Sequence, residues 1–281
     1  MNKRRHSTKW YFLQMGYYAF MILVAIIMAF PIYFALISSV KGNTEIFSNP
    51  FVPTVSPVFE NYPRAIKTGH IDKSFFNTIY ITLSAVLIAM LSGAMASYIL
   101  AKFRFRGRAF IYVFVVAGMM IPIQTIIIPL AFYLGKLGLF DNHPALILLF
   151  TAFQIPMTVF VVTGFMKGFP HEIEEAAVID GATHSRTLFM IIIPLSAPAL
   201  VSASIFNFIN IWNNLLFPLI FIRSAEKQML ALSLQSFFAE RGSDYGGVMA
   251  AIVISITPTI LAYVMMQERV EMGLMAGAVK G

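Results

Sequence analysis

With 281 residues, 58% of them hydrophobic and 12% charged, and a mean hydropathy of +0.77, the chain lacks the polar surface needed to cover a globule in water, since a soluble domain carries about a quarter charged residues. The length admits several membrane spans at about 20 apolar residues each, and the absence of cysteine excludes disulfides and thiol chemistry. A net charge of +7 raises the possibility of an anionic partner, which the placement of the charges resolves below.

In chain order, Lys3, Arg4, Arg5 and Lys9 precede an apolar run over 17–37. A secretory signal has a shorter apolar core followed by a small-residue cleavage site. Pro31-Ile32-Tyr33-Phe34 does not resemble one, so the run reads as an uncleaved first helix. Trp10, Tyr11, Tyr17 and Tyr18 suit the membrane interface. Five further stretches long enough to span follow at 77–101, 109–133, 144–166, 197–221 and 247–266, and none of the six contains Asp, Glu, Lys, Arg or His. The reading is an all-α, polytopic membrane protein of about six transmembrane helices, folded as a single domain over 1–281. The outer connection from Lys41 to Lys73 is rich in Pro and Asn, with turns at Ser48-Asn49-Pro50-Phe51 and Thr54-Val55-Ser56-Pro57.

Six spans put both termini on one side. With the N-terminus inside, the inner segments hold 12 of the Lys and Arg residues and the longer outer loops 8. The tight group Lys102, Arg104, Arg106 and Arg108 is the strongest orienting signal. The positive charge is therefore topological. A nucleic-acid partner would need a wider basic face than Ala101–Arg108 offers.

Proline recurs within the spans at 31, 122, 129, 156, 218 and 258. Small residues cluster at Ser92-Gly93-Ala94-Met95-Ala96-Ser97, where four-residue spacing lets helix backbones approach. Kinks and small faces together suggest a bundle that rearranges.

Several chemistries are missing. No G-x-x-x-x-G-K-[ST] loop occurs, and neither Lys67-Thr68 nor Lys73-Ser74 follows a glycine. His171-Glu172 opens like a zinc-protease motif, but its fifth position is Glu175. No G-x-S-x-G elbow is present. No carboxylate or His lies in a span to relay protons, although Na⁺ coordination by backbone carbonyls stays open. Energy must enter from elsewhere, or transport is passive.

The connection at 167–196 carries the positive signal: Phe169-Pro170-His171-Glu172-Ile173-Glu174-Glu175-Ala176-Ala177-Val178-Ile179-Asp180-Gly181-Ala182-Thr183. Pro170 can start a helix whose first turns hold Glu172, Glu174 and Glu175, where the dipole favours anions. Gly181 can end it in the left-handed conformation. A bare face at Ala176 and Ala177 suits insertion into a cleft on another protein. An ordinary helix lying on the membrane surface fits the same residues.

Glu175-Ala176-Ala177-x-x-Asp180-Gly181-Ala182, with Ile191-x-Ile193-Pro194 beyond it, resembles the EAA loop of ABC importer permeases, with Ile193 where the family pattern has Leu. Trp212-Asn213-Asn214-Leu215-Leu216-Phe217-Pro218 is similar to the W-N-x-x-x-x-P run of carbohydrate-importer permeases. Gly273-Leu274-Met275-Ala276-Gly277-Ala278-Val279-Lys280-Gly281 is similar to the tail of MalG-like subunits, with Met275 in place of Thr and Glu268 to Met272 departing from the usual aromatics. Read from its residues alone, the tail's Gly273, Gly277 and Gly281 could be a packing face.

The resemblance implies a type I ABC importer permease fold in a bacterial cytoplasmic membrane, with both termini cytoplasmic. It implies a heterodimer with a second permease, two ATPase subunits that hold ATP and Mg, and an extracytoplasmic sugar-binding protein. This chain would carry no cofactor and no catalytic residue. Coupling to the ATPase would fall on Glu175, Ala176, Ala177, Asp180, Gly181, Ala182 and Pro194, and a tail contact on Gly277 and Lys280. For a sugar path, Asn207, Asn210, Trp212, Asn213 and Asn214 form the densest polar and aromatic group within a span, and Gln124 and Gln154 add amides. The same groups could serve as interhelical hydrogen bonds. A passive channel would leave the Glu175 loop without purpose, and a membrane enzyme lacks a nucleophile or metal set.

Overall fold

The computed structural model describes residues 8–278 and, among them, contains helices and no strand. In chain order these are α1 (Thr8–Ser38), α2 (Asn43–Ser48), α3 (Asn61–Thr68), α4 (Ile71–Lys102), α5 (Arg108–Ala117), α6 (Ile123–Lys136), α7 (His143–Met166), α8 (Glu172–Ile179), α9 (His184–Thr187), α10 (Ile193–Leu195), α11 (Ala197–Trp212), α12 (Leu216–Phe221), α13 (Leu230–Arg241) and α14 (Tyr245–Ala278). Four helices can each span a bilayer alone, at Leu13–Ser38, Ile71–Lys102, His143–Met166 and Tyr245–Met265, and two bent pairs raise the number to six. The chain divides into two compact units.

The first unit holds the residues up to Gly69 together with Ser236–Ile254. Its long helix α1 exposes large apolar side chains on all sides from Leu13 to Leu36, an arrangement suited to hydrocarbon and not to water. The connection after α1 is folded, as its turn residues predict. Lys41 is fully buried and donates from Nζ to the Asn49 carbonyl at 2.8 Å. Buried Asn61 donates to the Ser39 and Lys41 carbonyls, each at 2.9 Å. Arg64 pairs with Asp244 at 2.8 Å. Gly246 is required here, because a Cβ on it would lie 2.7 Å from the Lys41 carbonyl oxygen.

The second unit holds His70–Gln235 and the residues from Ser255. Its centre is α4 packed along α7, with α11 against both. The small residues that predict a helix contact make one: Ala85, Ala89, Gly93 and Ser97 are buried at four-residue spacing. At Gly93 the helices approach so closely that a Cβ would meet Thr158 Cγ2 at 2.5 Å. One apolar core joins Ile81, Leu146, Phe150, Ile211, Phe217 and Met229. A second lies toward the other end of the helices and joins Tyr98, Val162, Met166, Leu188, Ile192 and Ala203.

Two spans expected as continuous are broken. In the third, α5 runs into a 3₁₀ turn at Gly118–Met120, and α6 departs at 96°. Pro122 is the cause: it has no N–H to give and it forces Ile121 to an extended backbone (φ −81°, ψ 114°). In the fifth, α11 bends 75° from the segment before it, His184–Leu195, at Ser196, with Pro194 and Pro198 on either side. It then stops at Trp212 instead of continuing to 221. Asn214 ends the continuity by accepting the Phe217 N–H at 3.0 Å, so its side chain opens α12 as a separate helix.

Candidate functional site

The connection between α7 and α11 folds as a helix–turn–helix segment. Pro170 precedes α8, whose first turn holds Glu172, Glu174 and Glu175. Its C-terminus is a complete Schellman motif: Gly181 sits at φ +74°, its N–H reaches the Val178 carbonyl at 3.0 Å, and the Ala182 N–H reaches the Ala177 carbonyl at 2.9 Å. Gly181 is thus where the sequence places it, ending the helix in a conformation that a Cβ disfavours. Thr183 then caps α9, accepting the Arg186 N–H at 3.3 Å. A π-helical stretch, Leu188–Ile192, leads into α10.

The faces of α8 differ. Ala177 is buried, whereas Glu175, Ala176 and Asp180 are exposed. Val178 and Ile179 are 57% and 84% exposed, a bare apolar tip on an otherwise acidic helix. Glu175 lines a cavity of about 390 Å³ together with Tyr98, His171, Glu174, Val178 and His184. Pro194 is exposed after the π-helical stretch. Ala182 is half-buried.

Glu174 has a role that sequence patterns do not reveal. It pairs at 2.9 Å with Lys102, the last residue of α4, whose side chain is 2% exposed. Lys102 Nζ also donates to the Phe169 carbonyl at 2.9 Å and lies 5.9 Å from that ring's centroid. Phe103 closes the group, edge-on to both Tyr98 and His184. The end of α4 is therefore fastened to the base of α8 by charge, a backbone hydrogen bond and ring packing. In the sequence Lys102 reads as one of four orienting charges, and only the fold shows that its side chain turns inward.

The proposed path residues scatter. Trp212 is buried, its indole N–H donates to the Ser255 carbonyl at 3.1 Å, and Phe75 and Phe208 pack on it. Asn213 is exposed and bonds its own helix at Ile209, and Asn214 caps α12. Asn207 is buried and donates to Thr158 Oγ1 at 2.9 Å, an interhelical bond. Asn210 is exposed and, with Gln154, lines a cavity of about 240 Å³. Gly277 lies near the end of α14, and Lys280 lies outside the described residues. Among the described residues no group of three or more His, Cys, Asp and Glu side chains is placed to hold a metal.

At the far ends of the second unit's helices, Asp141 (φ +55°) ties two connections together. It accepts the Arg223 and Ser224 N–H groups at 3.0 and 2.9 Å and pairs with Lys227 at 3.1 Å. The hydrogen bonds from the Ser224 hydroxyl and N–H, and then those from Arg223 and Lys227, hold its carboxyl well below the usual carboxylate range.

Residues 93–274 match the family described as the binding-protein-dependent transport system inner membrane component. The chain is 37% identical over 255 residues to the diacetylchitobiose uptake system permease protein NgcG of Streptomyces coelicolor, covering 90% of this chain and 84% of that one. It is 31% identical to the arabinooligosaccharides transport system permease protein AraQ of Bacillus subtilis, over 99% of both chains. In fold it is similar to a chain of a bacterial ABC transporter involved in the import of the acidic polysaccharide alginate, with a TM-score of 0.83 and 24% identity over 95% of this chain and 99% of that one.

Proposed function

Because the chain belongs to the family of inner membrane components of binding-protein-dependent transport systems, we propose that it is a permease subunit of an ATP-driven importer for short neutral oligosaccharides, with α8 as the point where the motor engages. Relatives named for diacetylchitobiose and arabinooligosaccharide transport support the substrate class. The observation that carries the coupling role is the form of α8: an exposed Glu175, a bare Val178–Ile179 tip and a Schellman end at Gly181.

The whole chain works as one permease domain with both termini in the cytoplasm. It pairs with a second permease, takes sugar from an external binding protein and rests on two ATPase subunits, which bind ATP and Mg and carry out hydrolysis. Closure of the ATPase pair on ATP pulls α8, and the bundle opens outward. ATP drives the change because it binds the two states with different affinity. Glu175, Ala176, Ala177, Asp180, Gly181, Ala182 and Pro194 form the docking segment, Gly277 and Lys280 a tail contact, and Asn210, more than Trp212, Asn213 or Asn214, borders the sugar path.

The test is reconstitution with the co-purified ATPase and binding protein. Gly181→Asp forces a Cβ into the left-handed region at a cost of about 1 kcal/mol, and Glu175→Lys reverses an exposed charge. Both are expected to abolish the ATP hydrolysis stimulated by the sugar-loaded binding protein while the protein still inserts. Undiminished stimulation and uptake in both variants would refute the coupling role.

A further inference from the structure

The break in the third span opens a cavity of about 240 Å³ in the second unit, lined by Gly118, Met119, Phe153, Gln154, Met157 and Asn210. The 3₁₀ turn after α5, the middle of α7 and the end of α11 bring these residues together. The stretches that supply them hold no Asp, Glu, Lys, Arg or His, so the cavity is polar without being charged. At the break, a Cβ on Gly118 would make only ordinary contact with Pro156 Cγ, at 3.4 Å.

Two amides border this space with hydrogen-bonding capacity to spare. Gln154 is half-buried, and its side chain has no hydrogen-bond partner among the described residues. Asn210 uses Nδ2 on the Phe206 carbonyl at 2.9 Å, which leaves its Oδ1 without a partner among them. One turn along α7, Thr158 accepts from Asn207 at 2.9 Å, an interhelical bond that leaves the buried Asn207 Oδ1 likewise without a partner among the described residues. At membrane depth an unpaired amide is costly, and irregular backbone survives where it lines a cavity. An amide offers a donor and an acceptor to adjacent hydroxyls, and a phenyl ring offers an apolar surface to the C–H face of a sugar. Few, placed polar groups in an otherwise apolar pocket are the usual make-up of a small-molecule site.

We infer that this cavity is a sugar-contact site contributed by this subunit, in which Gln154 and Asn210 hydrogen-bond one ring of a neutral saccharide and Phe153 supports its apolar face. The inference rests on the import reading above and adds to it that this chain touches the cargo directly.

The test uses the reconstituted importer with its own binding protein and three probes, diacetylchitobiose, arabinotriose and maltotriose. Gln154→Leu and Asn210→Leu remove the amides without adding a buried polar group. Each is expected to slow uptake of the transported probe by about tenfold, the scale of one hydrogen bond to a ligand. ATP hydrolysis stimulated by the loaded binding protein should stay within about twofold of the parent, as a contact role outside the coupling path requires. Unchanged uptake in the double variant overturns the site. So does parallel loss of uptake and stimulated hydrolysis, which would make the amides parts of the moving bundle.

A second readout does not depend on turnover. The chain has no cysteine, so Met119→Cys gives a single thiol at the cavity. Loaded binding protein should slow its reaction with a methanethiosulfonate reagent in the parent background and not in the double Leu variant. Equal rates with and without sugar overturn the proposal. A parent complex that imports none of the three probes, nor any other saccharide, would instead refute the import reading itself.

Discussion

Lys102 ends α4, where the helix dipole favours a cation, yet its side chain is 2% exposed and faces Glu174. A buried pair adds little net stability over apolar residues of the same volume, but removing one partner strands the other charge at a cost of about 3–5 kcal/mol. That asymmetry suits a mechanical link, since the two elements stay fastened in every state that keeps the pair. Lys102→Met is therefore expected to lower the sugar moved per ATP hydrolysed, whereas Lys102→Arg, which keeps charge and donors, should preserve it. The double variant Lys102→Glu/Glu174→Lys should recover only part of the ratio, because a Glu at 102 cannot donate to the Phe169 carbonyl. A fall in uptake and hydrolysis together, at constant ratio, would reduce the pair to a stabilising contact. Measured uptake and phosphate release in one vesicle preparation decide between them. The sequence singled out Glu175 and Gly181 as candidates through their order and spacing. It could not expose Lys102–Glu174, because 72 positions separate the partners and a basic residue at an inner helix end already has a topological explanation.

At the scale of elements, spans were legible wherever composition alone decides them. Hydrocarbon tolerates only helices with few charges, so uninterrupted apolar runs mark them. Their continuity was less legible. Pro31, Pro129, Pro156 and Pro258 sit inside helices that continue, whereas Pro122 ends one. At Pro122 the preceding residue, Ile121, takes the extended backbone that proline favours, after a 3₁₀ turn over Gly118–Met120, whereas the residues before the other four prolines stay helical. The Trp212-Asn213-Asn214 run reads as a path motif, yet it works locally as the end of α11 and the start of α12.

Another connection that the spans left unread is the Asp141 clasp, which holds the α6–α7 turn to the segment after α12. Asp141→Asn keeps the left-handed backbone, which Asn tolerates, and removes the charge facing Lys227. The folded carboxyl is held below its ordinary value, so its stabilisation is complete above the unfolded value of about 4 and is lost as the pH falls further. Hydrogen exchange at Arg223 and Ser224 should thus be faster in the variant between pH 5 and 7, and the gap should narrow below about pH 4. A gap that is constant down to pH 3 would assign the clasp to hydrogen-bond geometry without charge.

At the scale of the molecule, the direction of transport depends on which face carries α8, and that depends on charge. Lys102, Arg104, Arg106 and Arg108 stand in and beside the short connection between α4 and α5. Translocating such a cluster past hydrocarbon costs about 2.5–3.5 kcal/mol per residue at the helix centre, far more than the dispersed charges of 41–73 would add. The cluster and α8 must share a side, since the end of α4 is paired to Glu174. The same pairing puts the Asp141 clasp, at the other ends of α4 and α7, on the side opposite α8. Single cysteines in this cysteine-free chain test the arrangement. Ser185→Cys in α9, just after α8, is expected to react with a membrane-impermeant maleimide only in inverted vesicles. Ser56→Cys in the first outer connection should react only in intact spheroplasts. Both positions are exposed, so a missing reaction reports the barrier and not burial. The reverse pattern would put α8 outside, beyond reach of any cytoplasmic ATPase, and would end the import mechanism at its first step.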